Sequence, residues 1–173
     1  MSRIILRYKL FVAIVASNQR VTAALKKAGL ASSFLDMTKE EEDMNPHIDN
    51  LASLCRVLSI YPSDLFHPNM DKVNTKSIPH PPRHDIKDFS LTEEDFAKAF
   101  LDLIDKKKFC STFRYETYYG LIGRNGKLRS PTLLNLRIYL AFSNKTLYEF
   151  FLYVEELARK RIRKESDDEQ VKL

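Results

Sequence analysis

Residues 45–66 and 130–151 form an internal repeat, and this repeat constrains the fold of the chain more than any other feature. The segments read NPHIDNLASLCRVLSIYPSDLF and SPTLLNLRIYLAFSNKTLYEFF, so the two copies have equal length and align without a gap. Identical residues occupy four aligned positions: Pro46/Pro131, Asn50/Asn135, Leu51/Leu136 and Phe66/Phe151. Each copy begins near a proline and ends with an acidic residue before two bulky apolar residues. The repeat therefore predicts two related structural units.

The first copy has the pattern of an amphipathic helix followed by a short closing helix. Apolar residues recur with the period of an α-helix. They are Ile48, Leu51, Leu54, Cys55 and Leu58. Pro62 fits the first position of the closing helix, where its missing N–H costs nothing. Leu65 and Phe66 are then expected to pack back onto the core.

Three further helices are predicted upstream of this segment. Residues 3–16 form the first, which is apolar on most sides. Residues 20–28 form the second, and Gly29 ends it in the usual position after a helix. Residues 32–42 form the third. Its inward-facing residues are expected to be Phe34, Leu35 and Thr38.

The second unit opens with SLTEED, where Ser90 or Thr92 can cap a helix whose first turn is acidic. An apolar stripe follows, and Lys106–Lys108 are expected to close this helix with positive charge. The stripe consists of Phe96, Phe100, Leu103 and Ile104. Residues 109–123 are predicted to be helical, and Arg124–Ser130 are predicted to form a loop with Asn-Gly turn chemistry.

The chain is predicted to be all-α, with two small helical bundles joined by a Pro-rich linker. Residues 67–90 contain four prolines, which disfavour helix and favour an extended connection. Residues 152–164 continue as a helix, and the last nine residues are expected to fray. The expected boundaries are 1–68 for the first unit, 69–90 for the linker, 91–158 for the second unit and 159–173 for a basic helix end with a frayed tail.

The net charge of the chain is +5, which favours an anionic partner. Residues 1–66 hold 8 basic and 7 acidic residues, so their net charge is +1. Residues 91–173 hold 16 basic and 13 acidic residues, so their net charge is +3. The second unit is therefore the more basic of the two.

Several kinds of chemistry find no support in the sequence. Only 4 glycines are present, which argues against a Gly-rich phosphate loop and against a turn-dense β-sandwich. Cys55 and Cys110 make no disulfide framework and fit a reducing compartment; a single bridge between them is the alternative. His80 and His84 are surrounded by prolines, and no other ligand completes a metal site. No residue set supports catalysis, and no cofactor is expected.

The N-terminus admits two interpretations. Arg3, Arg7 and Lys9 precede an apolar run, residues 10–16, which outlines a short signal peptide and would make the protein secreted. The run has the minimum length for that purpose and is too short to span a bilayer, which needs about 20 apolar residues. A buried first helix is the favoured interpretation, and no membrane association is expected.

ALKKAGLASSFL, residues 24–35, and the first copy of the repeat together resemble the lambda-repressor-like helix-turn-helix family, of the Cro/repressor or XRE type. Members often read N-P-S-L-x-T-L-x-x-I-A-x-A-L-G-V-S-x-x-E-L-F where this chain has residues 45–66. The distance along the chain from Gly29 to Pro46 is close to the family spacing. The resemblance covers residues 20–66 well and residues 115–151 loosely. It implies two such units in tandem, the second divergent.

The resemblance implies a transcriptional regulator that binds double-stranded DNA, acts as a homodimer and lies in the cytoplasm on the nucleoid. In this family one helix reads base edges in the major groove, while neighbouring groups contact phosphates. In the first unit the implied base-facing residues are Ser32, Ser33 and Asp36, and the implied phosphate contacts are Lys26, Lys27 and Lys39. In the second unit the implied contacts are Tyr118, Arg124, Asn125, Lys127 and Arg129.

The first unit also departs from the family pattern. Arg20 stands where a Ser or Thr usually caps the second helix, and Ala31 is a poor cap for the third. The four carboxylates of Glu40–Asp43 would repel a phosphate backbone. The alternative is therefore a non-catalytic interaction module, antitoxin-like or regulator-binding, that kept the fold and binds a protein partner through Glu40–Asp43.

Overall fold

The computed structural model describes residues 6–39, 44–68, 89–122 and 128–170. These residues form helices joined by short loops and contain no strand; their isolated bridge positions include an antiparallel pair, Ile122 and Leu128. The predicted all-α class is confirmed. The chain divides into two compact units, Met1–Asp85 and Ile86–Leu173, which we call unit 1 and unit 2.

The described part of unit 1 contains three α-helices and two short 3-10 helices. In chain order they are α1 Leu6–Ala16, α2 Val21–Lys27, the 3-10 helix Ser32–Leu35, α3 Ile48–Leu58 and the 3-10 helix Pro62–Phe66. All five apolar positions predicted for the α3 face are buried, and Pro62 begins the closing helix as predicted. Leu10 and Ile14 of α1 are fully buried, so the first helix contributes to the core of unit 1.

Two basic side chains of α1 are buried and donate hydrogen bonds to carbonyl oxygens from distant parts of unit 1. The Lys9 ammonium donates to the carbonyl oxygen of Leu65 at 2.7 Å, and the Arg7 guanidinium donates to the carbonyl oxygen of Lys39. A buried charge is costly unless it is hydrogen-bonded. These contacts therefore hold α1 against the closing segment and against the loop after Leu35.

The third helix predicted for unit 1 is wrong in type and length. Within residues 32–39, which the structure describes, only Ser32–Leu35 is helical, as a 3-10 helix, and Asp36 already has an extended backbone. The Asp36 carboxylate accepts hydrogen bonds from the Thr38 amide at 3.0 Å and from the Thr38 hydroxyl at 2.7 Å. Such a local side-chain bond competes with helix formation. Thr38 is exposed, against the prediction, and residues 40–42 lie outside the described part.

In unit 2 the described residues form five α-helices around an aromatic core. They are α4 Glu93–Leu103, α5 Lys106–Thr112, α6 Tyr115–Leu121, α7 Leu133–Ala141 and α8 Leu147–Gln170. Thr92 caps α4 in a capping box with Asp95. The Phe100 ring is fully buried, with centroids of Phe109, Tyr118 and Tyr139 at 6.3, 6.0 and 6.5 Å.

Two boundary predictions for unit 2 are wrong. Lys106–Lys108 do not close α4 but open α5, because Asp105 caps the new helix by accepting from the Lys108 amide at 3.1 Å. At the other end, α8 continues to Gln170 instead of fraying after Lys164. The predicted linker, residues 69–90, lies outside the described residues except for its last two positions.

The internal repeat of the sequence is also a repeat of structure. When the ungapped alignment of the two copies is extended along the chain, α2 coincides with α5, and the first residues of α3 and of its closing helix coincide with those of α7 and α8. Ser59 and Asn144, which this alignment pairs, have left-handed backbones with φ of 56° and 54°. The next residues, Ile60 and Lys145, each donate a backbone bond of 3.0 Å to the carbonyl five positions earlier.

The units differ at their turns and at their ends. In unit 1 the turn after α2 passes through Gly29, whose φ is +72°, whereas in unit 2 the turn after α5 is Phe113–Arg114 with extended backbone. The third element is a four-residue 3-10 helix in unit 1 and the seven-residue α6 in unit 2. The closing element has five residues in unit 1, and its counterpart α8 has 24.

Two glycines should respond to alanine with opposite signs. Gly29→Ala is expected to destabilise unit 1 by about 1 kcal/mol or more, because a left-handed backbone disfavours a Cβ atom although the space around it is open. Gly120→Ala is expected to stabilise unit 2 by about 0.5–1 kcal/mol, since Gly120 lies within α6 and its Cβ would meet nothing. Denaturant unfolding measures both, and equal signs would contradict the assignment.

Candidate nucleic-acid interface

The α5–α6 pair of unit 2 presents a cationic and aromatic surface. Lys106, the first residue of α5, donates from Nζ to the Tyr119 hydroxyl at 2.7 Å, and its Nζ lies 4.8 Å from the Tyr119 ring centroid. The hydrogen bond from Lys106 to Tyr119 raises the pKa of Lys106, so the ammonium stays charged at neutral pH. A charged lysine over an aromatic face is held by cation–π attraction.

Two tyrosines of α6 extend this surface. Tyr115 and Tyr119 are four residues apart, so they share one face of the helix. Their side chains are 59% and 57% exposed, although tyrosine is often mostly buried. Arg114 precedes the helix and is exposed, as is Lys107 on α5. We call Lys106, Lys107, Arg114, Tyr115 and Tyr119 the α5–α6 patch.

Tyr118, predicted as a DNA contact, is instead a core residue. It is 5% exposed, and its ring centroid lies 5.6 Å from that of Phe109. Burial raises the pKa of the Tyr118 hydroxyl. The exposed neighbour Tyr119 is the surface residue of the pair. The sequence signal that separates the two tyrosines is the helical period, because Tyr118 shares a face with Leu121 and Tyr119 shares a face with Tyr115.

The predicted loop contacts of unit 2 are only partly described. Arg129 is exposed, and its backbone amide donates to the carbonyl oxygen of Leu121 at 2.7 Å, which ties the loop end to α6. Arg124, Asn125 and Lys127 lie outside the described residues. The structure therefore brings Arg129 next to the end of α6 and leaves the other three as predictions.

The predicted contacts of unit 1 form a weaker surface. Lys26, Lys27, Ser32, Ser33 and Lys39 are all exposed. Lys27 Nζ lies 3.4 Å from Gln19 Oε1, a weak contact. Ser32 and Ser33 lie on a four-residue 3-10 helix, so they are not carried by an α-helix that could read base edges in the major groove.

Asp36, the remaining predicted contact of unit 1, is turned toward its own loop. Its bonds from Thr38 lower the pKa of the carboxyl, so it stays negative at neutral pH. A negative group among the predicted base-facing residues opposes the approach of a phosphate backbone. The acidic residues Glu40–Asp43 lie outside the described part.

The outer face of α7 is apolar, whereas the equivalent face of α3 is polar. Leu134 and Ile138 are 52% and 41% exposed, and they are four residues apart on one face. The aligned positions in the first copy of the repeat are Asp49 and Ser53. The prediction of two related units rested on positions that the two repeat copies share, and Leu134 and Ile138 are not among those positions.

Comparisons with known protein families, with curated proteins and with solved structures found no match to this chain. Among the described residues, no helix combines the length and the apolar content that crossing a bilayer requires. Within the same residues, no three His, Cys, Asp or Glu side chains are grouped so that they could hold a metal ion. His80 and His84 fall outside this part of the chain.

Proposed function

We propose that the protein is a double-stranded DNA-binding transcriptional regulator of the lambda-repressor-like helix-turn-helix type, and that unit 2 makes the principal contacts. The α5–α6 patch carries this proposal. It combines three cationic side chains with two exposed tyrosines on α5, on α6 and at the turn between them. The proposed role requires neither catalysis nor a cofactor.

The chemistry of the patch suits the sugar-phosphate backbone and base edges of a duplex. Lys106, Lys107 and Arg114 can neutralise phosphates, which releases counterions and supplies affinity. The Tyr119 hydroxyl can donate to a phosphate oxygen, and the tyrosine rings offer apolar contact to sugars and thymine methyl groups. α6 has seven residues and so is about 10 Å long, short enough to lie within the major groove.

Unit 1 supports the proposal through the structural repeat and contributes less to contact. The elements of the two units correspond in order, and the resemblance to the helix-turn-helix family lies mainly in unit 1. Its third element is a single 3-10 turn followed by the Asp36 carboxylate. We propose that unit 1 has a mainly structural role and that unit 2 contacts the DNA.

The double variant Lys106→Gln/Tyr119→Ala is expected to weaken duplex DNA binding by about tenfold to a hundredfold, since it removes one phosphate contact and one aromatic contact. The matched control is Lys98→Gln, which removes one positive charge from an exposed site on α4 of the same unit. Fluorescence anisotropy with labelled duplex measures both affinities. Equal affinities for the double variant and the control would contradict the proposed site.

A second candidate function is protein binding without DNA contact, and the apolar α7 face favours it. Exposed Leu134 and Ile138 are typical of a helix that packs against another helix. The double variant Leu134→Ser/Ile138→Ser should then abolish capture of a protein partner, while charge removal at Lys106 leaves capture unchanged. If DNA binding is instead lost, and only when Lys106 is changed, the result favours the transcriptional regulator. The expected homodimer stays a prediction that sedimentation can measure.

A further inference from the structure

The C-terminal half of α8 is fixed against α4 by a largely buried ion pair. Arg161 Nη2 donates to Asp95 Oδ2 at 3.0 Å and to the carbonyl oxygen of Ser90 at 2.9 Å. Nearer the other end of α4, the Tyr153 hydroxyl donates to Asp102 at 3.0 Å. Because residue numbers fall along α4 as they rise along α8, the two helices run antiparallel. These contacts set the rotation of α8 about its own axis.

With Arg161 turned inward, three other basic residues of α8 point outward. Lys160, Arg163 and Lys164 are exposed, and their spacing of three and four residues places them on one helix face. Their side chains make no ion pair with any residue that the structure describes. Arg161, in contrast, is 28% exposed and also pairs with Glu165 at 3.6 Å. We call Lys160, Arg163 and Lys164 the α8 basic face.

We propose that the α8 basic face is a second phosphate-binding surface, which contacts the backbone of the same DNA duplex as the α5–α6 patch. This inference rests on the proposed function. The alignment of the repeat pairs the three basic residues with Thr75, Ile78 and Pro79 of unit 1, none of which is basic. It lies in the same unit as the α5–α6 patch.

The position of the basic face suits a duplex. Arg161 contacts Asp95 in the first turn of α4, whereas Lys106 begins the helix that follows α4. α4 has 11 residues and is therefore about 16 Å long. The α8 basic face and the α5–α6 patch therefore lie toward opposite ends of α4, and the length of α4 is comparable with the roughly 17 Å of half a helical turn of DNA.

The surroundings of the basic face favour phosphates of a nucleic acid over a lipid surface. Helices that lie on membranes bury large apolar side chains beside their basic residues. Among the described residues of unit 2, the exposed large apolar side chains all lie between Leu101 and Ile138, and α8 contributes none. The basic face therefore has charge without an apolar anchor.

The test is the salt dependence of duplex binding by the full chain. Each phosphate contact contributes about 0.9 to the slope of log K against log salt concentration. The triple variant Lys160→Gln/Arg163→Gln/Lys164→Gln is expected to reduce that slope by about 2–3. The matched control Arg56→Gln/Lys98→Gln/Lys145→Gln removes the same charge from exposed or half-exposed positions elsewhere and should leave the slope nearly unchanged.

Each outcome decides between the proposals. If the wild-type chain binds DNA and the triple variant keeps its slope, the inference is overturned and the proposed function stands. If the wild-type chain shows no salt-dependent DNA binding, the proposed function fails and the inference fails with it. If the triple variant loses binding to anionic lipid vesicles but keeps the wild-type salt slope for duplex DNA, the inference is also overturned. The three single variants, each expected to lower the slope by about 0.9, replace the triple variant should it unfold.

Discussion

Phe100→Ala is expected to lower the free energy of unfolding of unit 2 by about 3–5 kcal/mol, which is the largest effect that the structure predicts. The Phe100 side chain is fully buried and contacts the rings of Phe109, Tyr118 and Tyr139. Its removal leaves a cavity at the meeting point of α4, α5, α6 and α7. Because α5 and α6 carry the candidate interface, the variant should also lose DNA binding.

The adjacent residue provides the control for this prediction. Leu101 is 46% exposed, and Leu101→Ala is expected to change stability by no more than about 0.5 kcal/mol. Guanidinium titration followed by far-UV circular dichroism measures both variants. Similar losses for the two substitutions would show that the helix phase of α4 is wrong.

Asp95→Ala is expected to destabilise unit 2 by about 2–4 kcal/mol, because one carboxylate serves two contacts. It accepts from the Thr92 amide at 2.9 Å in the capping box and from Arg161 at 3.0 Å. Removing it breaks a cap and leaves the Arg161 guanidinium, which is 28% exposed, without this partner. The expected result is an earlier unfolding transition together with fraying of α8 beyond Ala158.

Lys98→Ala is the control for the Asp95 prediction. Lys98 pairs with Asp102 at 2.9 Å, but the two side chains are 60% and 35% exposed, and such surface pairs contribute little. We expect a change of no more than about 0.5 kcal/mol. Hydrogen exchange of α8 amides distinguishes the variants, because only Asp95→Ala should raise exchange beyond Ala158. Unchanged exchange in that variant would contradict the anchoring role of Arg161.

Periodic patterns in the sequence predicted the elements that depend on burial. The α3 face is buried as its spacing indicated, and Phe96 and Phe100 lie in the core of unit 2. Turn chemistry was equally informative at Thr92, where the capping box forms. The internal repeat predicted two related units, and helix starts, left-handed residues and backbone bonds agree with it.

The sequence-based predictions are wrong where a single contact decides between two possible structures. The Asp36 carboxylate bonds Thr38 and ends a predicted helix, and Asp105 caps a new helix where the lysines were expected to close an old one. Tyr118 and Tyr119 are adjacent, so their roles depend on which face of α6 is buried, and this is indicated only by their neighbours one turn away, Leu121 and Tyr115. The position of Arg161 depends on Asp95, which is distant in sequence. Such distant pairings leave no periodic signal in the sequence.

The sequence therefore predicted the approximate location of the candidate site but not most of the residues that form it. The sequence indicated the second unit as the more basic one and the region before the second repeat copy as a contact surface. The structure adds Lys106 and Tyr115, replaces Tyr118 by Tyr119, and places Arg129 beside the end of α6.

The most direct test of the central claim measures binding of the wild-type chain to genomic DNA fragments and to random duplexes of equal length over a range of salt concentrations. We expect a subset of fragments to be retained in preference to random DNA, with affinity that falls steeply as salt rises. We also expect Lys106→Gln/Tyr119→Ala to remove this preference. Binding in which no fragment exceeds random duplex at moderate salt would contradict the claim.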